Sequence, residues 1–370
     1  MEKTMLTKGD DYPLHQTPEP VAYVGAARNF YDRFFFNGYN RDGSVFFAAA
    51  MGIYPYVNIL DAAFSVIVDG VQHNAYGSKV MHMERLDTFA GPVAIDIVEP
   101  FRVSRLRCDD SDNGLKADLV FTARCEAHEE PRFTRRQGSQ LMMDVTRMMQ
   151  NGTWTGWIEV KGKRIDITPE GFCGTRDRSW GVRGIGEADP QPNPHPAPPQ
   201  YYWLWAPLNF DDCVAHYFLN DDAEGEAWNT NGIVMPLLGE GDEETMASAT
   251  RNIEYQPGTR FARSFEILFN HKNGDETRIE LEPKFNWYMK GVGYGHPEWG
   301  HGKYHGELAT GYDEFITDEV TPDNVHIQAF CHAKMITKDG VKEGRGVLEQ
   351  LIIGPHKPSG FKEFMDFAPA

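Results

Sequence analysis

A ten-residue segment, Gly174–Arg183, carries the densest group of reactive side chains in the sequence. If the segment is an extended strand, Arg176, Arg178 and Trp180 share one face. Asp177 then points to the opposite face. Buried charges persist only when they are paired and hydrogen-bonded, so this pattern predicts an ion-pair network beside a cavity or between strands. Asp177 is interpreted either as an acid or base with a raised pKa or as a structural ion-pair partner.

A second group of reactive residues lies in Gly293–Glu307, which contains three histidines and two glutamates among glycines. His301 and His305 have the spacing of helical zinc motifs, but the flanking glycines oppose a helix. We expect a loop that presents His296, Trp299 and His301 at a cavity mouth, where imidazoles exchange protons near neutral pH. A metal site formed by the three histidines and a purely structural loop are the alternatives.

Aromatic side chains dominate Tyr201–Trp205, and His216 follows shortly afterwards. Strand alternation allows Trp203, Trp205 and His216 to share one interior. Such a lining suits a large apolar ligand, and its π faces stabilise a passing carbocation. The alternative is an ordinary aromatic core.

Glu349 lies in an otherwise apolar run near the C-terminus. Alternation turns it inward, where a carboxylate requires a partner. We expect that partner to be Arg345 or Arg176, in a structural pair or in a binding site.

Composition restricts the classes of function. Of the 370 residues, 41% are hydrophobic and 12% aromatic, and the net charge is −18. This balance disfavours nucleic acid and anionic membrane surfaces as partners, because both require basic patches. The five cysteines include no CxxC pair, which argues against a zinc ribbon and against a disulfide framework.

No apolar run reaches the ~18 residues of a membrane span, and the polar start lacks a signal core. The expected location is therefore cytoplasmic, without stable membrane insertion. The chain also lacks a glycine-rich phosphate loop and a nucleophile elbow, which disfavours nucleotide chemistry, hydride transfer and serine hydrolysis.

Short alternating runs closed by Gly, Asp, Asn or Pro indicate an all-β protein. The proline-dense segment 189–199 predicts a linker. We therefore expect an N-terminal β-barrel domain in 1–188 and a C-terminal one in 200–370. Small antiparallel barrels enclose room for one apolar ligand.

The segment Arg176–Gly181 resembles the Asp-x-x-Trp-Gly segment of the lipocalin-like carotenoid 1,2-hydratase (hydroxyneurosporene synthase) and AttH-type proteins. The loop His296–Gly302 and the strand Gly346–Gln350 are similar to those of uncharacterised bacterial relatives. The resemblance implies two lipocalin-like antiparallel β-barrels packed together. It also implies chemistry on apolar molecules, either water addition to an isoprenoid double bond or intramolecular cyclisation.

One departure from the hydratase pattern affects the mechanism. The pattern has a histidine directly before the aspartate, where this chain has Arg176. A hydratase must protonate an alkene, and an arginine side chain is not a proton donor at ordinary pH. The resemblance therefore supports the same fold more strongly than the same activity.

These patterns together predict a cofactor-independent enzyme, a lyase (hydratase or dehydratase) or an isomerase or cyclase, acting on a terpenoid, steroid or lipid-like molecule. A non-catalytic carrier of an apolar metabolite is the alternative. No metal is expected in the favoured interpretation, and a homo-oligomer is left open. The candidate catalytic residues are Asp177, His216, His296 and His301. The candidate substrate-binding residues are Arg176, Arg178, Trp180, Trp203, Trp205, Trp299 and Glu349.

Overall fold

The computed structural model describes residues 6, 8–13, 27–82, 84, 86–188 and 197–369. Within these ranges the chain is almost entirely β, and it contains no α-helix. Short 3-10 helices occur at Lys8–Asp11, Met289–Val292, Thr317–Glu319 and Lys357–Ser359. Residues 189–196 of the expected linker lie outside the described residues.

The first sheet contains thirteen strands, and all the registers described in it are antiparallel. They are β1 (Phe30–Asn40), β2 (Val45–Tyr54), β3 (Ile59–Val68), β4 (Val71–Val80), β5 (Phe89–Ala90), β6 (Val93–Glu99), β7 (Val103–Asp110), β8 (Leu115–Ala123), β9 (His128–Gln137), β10 (Gln140–Val160), β11 (Lys163–Ile167), β12 (Phe172–Val182) and β20 (Leu308–Ile316). The strand order is β20-β4-β3-β2-β1-β12-β10-β8-β7-β6-β5, and β9 and β11 pair with the long strand β10.

The second sheet contains nine antiparallel strands in the order β16-β15-β14-β13-β22-β21-β19-β18-β17. They are β13 (Tyr201–Phe210), β14 (Cys213–Asp221), β15 (Ala227–Pro236), β16 (Glu244–Thr245), β17 (Ser248–Tyr255), β18 (Ala262–Asn270), β19 (Glu276–Tyr288), β21 (His326–Thr337) and β22 (Gly340–Ile353). Two antiparallel sheets, one of them curled into a half-barrel, confirm the predicted all-β, lipocalin-like class.

The chain forms two compact units. The first comprises Met1–Pro196 together with Lys290–Phe315, and the second comprises Ala197–Met289 together with Ile316–Ala370. Residues Lys290–Phe315, which the expected domain boundaries place in the C-terminal domain, therefore pack with the first unit. This return of the chain brings the glycine-rich loop of residues 293–307 onto the strands of the first sheet.

Turn chemistry explains why neighbouring strands pair as they do. Asp69 and Gly70 connect β3 to β4 with φ values of 52° and 78°. Two consecutive positive φ angles define the type I′ turn that fits the twist of a tight hairpin. Two-residue connections likewise join β10 to β11 at Lys161-Gly162 and β21 to β22 at Lys338-Asp339.

Burial differs between the two ends of the first sheet. Strands β7 and β8 alternate between buried and more exposed residues, as expected for a sheet with one covered face. Strands β1 and β2 are buried at almost every position. Both faces of β1 and β2 are therefore covered, and a polar residue on either face needs a specific explanation.

Candidate active site

Arg176 and Arg178 point to the same face of β12, as strand alternation predicted, and each has a carboxylate partner. The Arg176 guanidinium donates to both carboxylate oxygens of Asp11, at 2.5 and 3.1 Å, and its Nε donates to Gln150. Arg178 pairs with Asp32 at 2.7 Å and lies 3.5 Å from the ring centre of Phe34. All four charged side chains are at most 2% exposed.

Trp180 shares this face and packs in a small core cluster with Phe30 and Met148. The charges of Arg176 and Arg178 are thus neutralised by the chain itself. Their predicted role in binding a substrate remains a prediction.

The opposite face of the same strands carries a second polar group. Asp177 and Ser179 point to it, and Asp177 is partly exposed. Strand register places Ser179 beside Arg33, Arg33 beside Gly52, and Gly52 beside Asp61. One row across β12, β1, β2 and β3 therefore brings a guanidinium and a carboxylate into the same neighbourhood.

Asp61 carries a carboxyl group whose pKa is raised well above its ordinary value. The Tyr54 hydroxyl donates to its Oδ1 at 3.2 Å, and the Gly302 amide donates to its Oδ2 at 2.7 Å. Burial raises the pKa of Asp61 to about 6, against the opposing effects of Arg33 and these hydrogen bonds. A carboxyl group with this pKa exchanges protons readily near neutral pH.

Gly52 leaves the space that this arrangement needs. A Cβ atom at residue 52 would clash with the Tyr54 hydroxyl and would lie 2.8 Å from Asp61 Oδ1. The absence of a side chain at Gly52 therefore allows Tyr54 to reach Asp61.

Arg33 is 2% exposed and lies beside the loop. Its Nη1 lies 2.8 Å from His301 Nε2, its Nη2 donates to the Val292 carbonyl at 3.0 Å, and its guanidinium lies 4.8 Å from the Tyr294 ring centre. A guanidinium only donates hydrogen bonds. The same Nε2 also lies 2.9 Å from the Val292 carbonyl, which only accepts. This nitrogen therefore lies between a donor and an acceptor, and Arg33 and His301 meet at the Val292 carbonyl.

A small cavity lies among these groups. Its lining includes both charged side chains, Arg33 and Asp61, and two aromatic ones, Tyr76 and Trp299, and His301 completes its polar part. Its volume is about 10 Å³, which is room for about one water molecule. A larger ligand can reach Asp61 only if part of this lining moves.

His296 anchors the loop that covers the cavity. Its Nε2 lies 3.0 Å from Asp313 Oδ2, and its Nδ1 accepts the amides of Glu298 and Trp299 at 3.1 and 2.8 Å. Asp313 also accepts a hydrogen bond from the Tyr76 hydroxyl at 3.2 Å. Both ring nitrogens of His296 are therefore hydrogen-bonded, which holds the loop in place. The role of His296 in proton transfer stays a prediction.

The three loop histidines do not converge. His305 stacks on Trp299 with ring centres 4.6 Å apart, whereas His296 faces Asp313 and His301 faces Arg33. No group of three or more His, Cys, Asp or Glu residues in the described ranges is arranged to hold a metal ion.

Residues 6–362 match the Family of unknown function (DUF8625). The chain belongs to this family. No curated protein sequence matches the chain. Sequence comparison thus gives DUF8625 membership without a relative of known activity.

Solved structures resemble this DUF8625 protein over most of its length. An AttH-like protein from Nitrosomonas europaea aligns with a TM-score of 0.54 and 12% identity, covering 87% of this chain and 92% of its own. Kievitone hydratase from Nectria haematococca aligns at 0.53 and 12%, covering 86% and 88%. CghA in complex with Sch210972 aligns at 0.51 and 9%, covering 88% and 89%.

At such low identity these similarities show the fold alone. They confirm that the DUF8625 chain shares the lipocalin-like architecture of the predicted group. They give no sequence-level support for membership in the carotenoid hydratase family.

Four predicted site residues of the DUF8625 protein belong to its second unit instead. Trp203 Nε1 donates to Glu349 Oε1 at 3.0 Å. His326 lies 3.0 Å from the same oxygen, and Gln328 donates to Oε2 at 2.8 Å. Burial raises the pKa of Glu349, but these hydrogen bonds and the His326 charge outweigh it and lower the pKa overall.

The expected partners of Glu349, Arg345 or Arg176, are therefore replaced by Trp203, His326 and Gln328. Trp205 and His216 meet edge to face, with ring centres 5.8 Å apart, and both are buried. Their predicted catalytic and binding roles are untested by this geometry.

Sequence reasoning missed Arg33, Tyr54 and Asp61 of the DUF8625 site. Asp61 is a lone carboxylate within an apolar strand, which is the signal that singled out Glu349. The same interpretation of β3 identifies Asp61 as a partly buried acid that requires an explanation. Its partner Gly302 lies 241 residues away, so the pairing itself has no local sequence signal.

Proposed function

We propose that this DUF8625 protein is a cofactor-independent enzyme that performs acid–base chemistry on a hydrophobic small molecule. The reaction class is hydration or dehydration, or isomerisation or cyclisation. The observation that carries the proposal is the Asp61 carboxyl group, whose burial raises its pKa to about 6 beside a cavity lined by Arg33, Tyr76 and Trp299. Perturbed carboxyl groups in cavities are typical of catalytic acids and bases.

In this proposal the residues around Asp61 have distinct roles. Near pH 6 the carboxyl group is populated in both protonation states, so it both gives and takes a proton without a cofactor. Tyr54 and the Gly302 amide orient it through their hydrogen bonds. His301 lies between Arg33 and the Val292 carbonyl and helps to hold the guanidinium beside the cavity.

The fold neighbours support this class of reaction at a coarse level. One is by name a hydratase, and another was solved with Sch210972 bound. A terpenoid substrate, a cytoplasmic location and a homo-oligomer remain predictions. Among the described residues no helix is long and apolar enough to cross a membrane.

Substrate access requires movement of the loop in this proposal. Trp299 stacks on Tyr76 with parallel rings 5.5 Å apart, and both line the cavity. Displacing Trp299 enlarges the cavity and exposes two aromatic faces together with the Asp61 carboxyl group. Large apolar ligands bind in such concave aromatic sites.

The test combines ligand discovery with two matched variants. Untagged protein is analysed by native mass spectrometry, bound molecules are extracted, and turnover is followed in heavy-oxygen water. We expect Asp61→Asn to abolish incorporation of the label while the ligand still binds. Asp177→Asn is the companion variant, because it makes the same substitution on the neighbouring strand row.

Each outcome separates the candidate functions. Loss of turnover in Asp177→Asn alone moves the acid to Asp177. Retained turnover in both variants contradicts a carboxyl catalyst. A tightly bound, unchanged metabolite in all three proteins favours the carrier, which should instead fail when Trp203 or Trp205 is replaced by alanine.

A further inference from the structure

The charge of Arg33 is buried without a direct ion pair in the part of the chain that the structure describes. Within the described chain no carboxylate lies within the 4.0 Å of an ion pair with its guanidinium, although the side chain is only 2% exposed. Its hydrogen-bond partners are one carbonyl and one imidazole nitrogen, and its Nε has none among the described residues. Asp61 interacts with Arg33 through its charge but does not pair with it directly. The buried guanidinium therefore keeps an N–H donor without a partner in the described ranges, which calls for a functional explanation.

Arg183 adds a second cation on the same side. Its guanidinium lies 4.1 Å from the Tyr31 ring centre, and its Nη1 lies 3.4 Å from the Tyr294 hydroxyl. It also has no carboxylate partner within ion-pair distance in the described ranges. Burial and the Asp61 charge hold the pKa of Tyr54 well above its ordinary value, and the positive charges of Arg33 and Arg183 oppose that shift. Both cations therefore act on the hydroxyl group that bonds Asp61.

The sign of this field discriminates between substrate classes. Protonating an isolated alkene creates a carbocation, which a neighbouring guanidinium destabilises. Polarising a conjugated carbonyl creates an enolate oxygen, which preorganised N–H donors in a water-poor site stabilise strongly. The Arg33 Nε–H is such a donor with no partner in the described chain.

We infer that the substrate carries a carbonyl group conjugated with the reacting double bond, and that its oxygen binds at Arg33. This inference rests on the proposed function of the Asp61 site. It replaces the isolated isoprenoid double bond as the preferred substrate class. Tyr76 and Trp299 then bind the apolar remainder of the molecule.

The corresponding hydration step balances without a further reactant. The oxygen of water bonds to the β-carbon, and the double-bond electron pair moves onto the carbonyl oxygen beside Arg33. The Asp61 carboxylate takes the proton that the water loses. Asp61 then returns that proton to the α-carbon as the enolate collapses, so that the sum is addition of one water.

Three naphthalene probes of similar size test whether the site prefers a negatively charged, a positively charged or a neutral ligand. They are 6-cyano-2-naphthol, which becomes an anion, 2-naphthyltrimethylammonium, which is a cation, and 2-methylnaphthalene, which is neutral. We expect the naphtholate form to bind at least about tenfold more tightly than the neutral naphthol, which is a fall of at least about one unit in its bound pKa. The absorption spectrum of the bound probe measures that pKa directly.

Variants that remove or keep the positive charge identify the arginine responsible for this preference. Arg33→Met should remove the tenfold preference, and Arg33→Lys should retain part of it. Arg105→Met is the control, because Arg105 is an exposed arginine paired with Asp118 at 2.6 Å. It should leave the preference unchanged.

The remaining outcomes overturn the inference in distinguishable ways. Tighter binding of the cationic probe contradicts an anion-stabilising site but leaves the enzyme proposal standing. Equal binding of all three probes also contradicts an anion-stabilising site, and the turnover of Asp61→Asn then decides between the enzyme and the carrier. Failure of every probe, including 2-methylnaphthalene, removes the binding site itself and with it both the proposed function and this inference.

Discussion

Two groups of arginines lie on opposite faces of the same strands, and they differ in how their charge is balanced. Arg176 and Arg178 meet Asp11 and Asp32 at 2.5 and 2.7 Å. Arg33 is equally buried but meets a carbonyl, an imidazole and an aromatic ring. The first face uses its charges to hold the chain together, whereas the second keeps a cation available beside an acid of raised pKa.

The difference shows that charge density in a sequence does not by itself locate a site. The segment with three arginines supplies the paired face. The charged residues of the second face are Arg33 in β1, Asp61 in β3 and Arg183 directly after β12. Only the register of the sheet brings them together.

The largest expected effect is on the paired face. Arg178→Met leaves the Asp32 carboxylate buried without its cation, which should lower the free energy of unfolding by about 3–5 kcal/mol. Urea unfolding followed by tryptophan fluorescence measures the loss. The double variant Arg178→Met/Asp32→Leu removes both charges and should recover most of it; a loss below about 1 kcal/mol in the single variant contradicts a structural ion pair.

Unlike the Arg178–Asp32 pair, the ionised form of Asp61 should lower the free energy of unfolding. Its folded-state pKa of about 6 lies above the unfolded value near 3.9, so its favourable contribution is complete below pH 4 and is lost as the pH rises through 6. The shift corresponds to about 3 kcal/mol. Asp61→Asn should therefore flatten the fall in unfolding free energy between about pH 4 and 6.

Unfolding curves across that pH range test the prediction, with Asp118→Asn as the companion for an exposed acid whose pKa is lowered by its hydrogen bond to Arg105. Parallel pH profiles for the wild type and Asp61→Asn would contradict the raised pKa. Greater stability of Asp61→Asn at neutral pH, with turnover lost, is the pattern expected of a catalytic acid.

A smaller effect is expected at Gly52. The methyl group of Gly52→Ala would force Tyr54 away from Asp61, and overpacking of this kind typically costs about 1–3 kcal/mol. Gly184→Ala is the control, because its added methyl group meets no atom within 4 Å. Thermal unfolding should separate the two variants, and equal midpoints would show that the Tyr54–Asp61 contact is not tightly packed.

The sequence predicted features that depend on local pattern. Alternation placed Arg176 and Asp177 on opposite faces, and short alternating runs closed by Gly, Asp, Asn or Pro indicated an all-β chain. These features depend on neighbours within a few residues, so one strand at a time is enough to read them.

The sequence did not predict features that depend on distant pairing. The Asp61–Gly302 contact joins β3 to a loop far along the chain, and the partners of Glu349 come from β13 and β21. Burial on both faces of β1 also hid Arg33, because no period-two pattern marks a strand that is covered on both sides.

The stability of Arg33→Met tests the central distinction most directly. If the Arg33 charge is unmatched, replacing it with an apolar side chain of similar length should cost no more than about 1 kcal/mol, because relief of the buried charge offsets the lost hydrogen bonds. Arg178→Met, measured in the same urea series, should lose about 3–5 kcal/mol. Equal losses in the two variants would show that Arg33 is as structural as Arg178 and would contradict a functional cation beside Asp61.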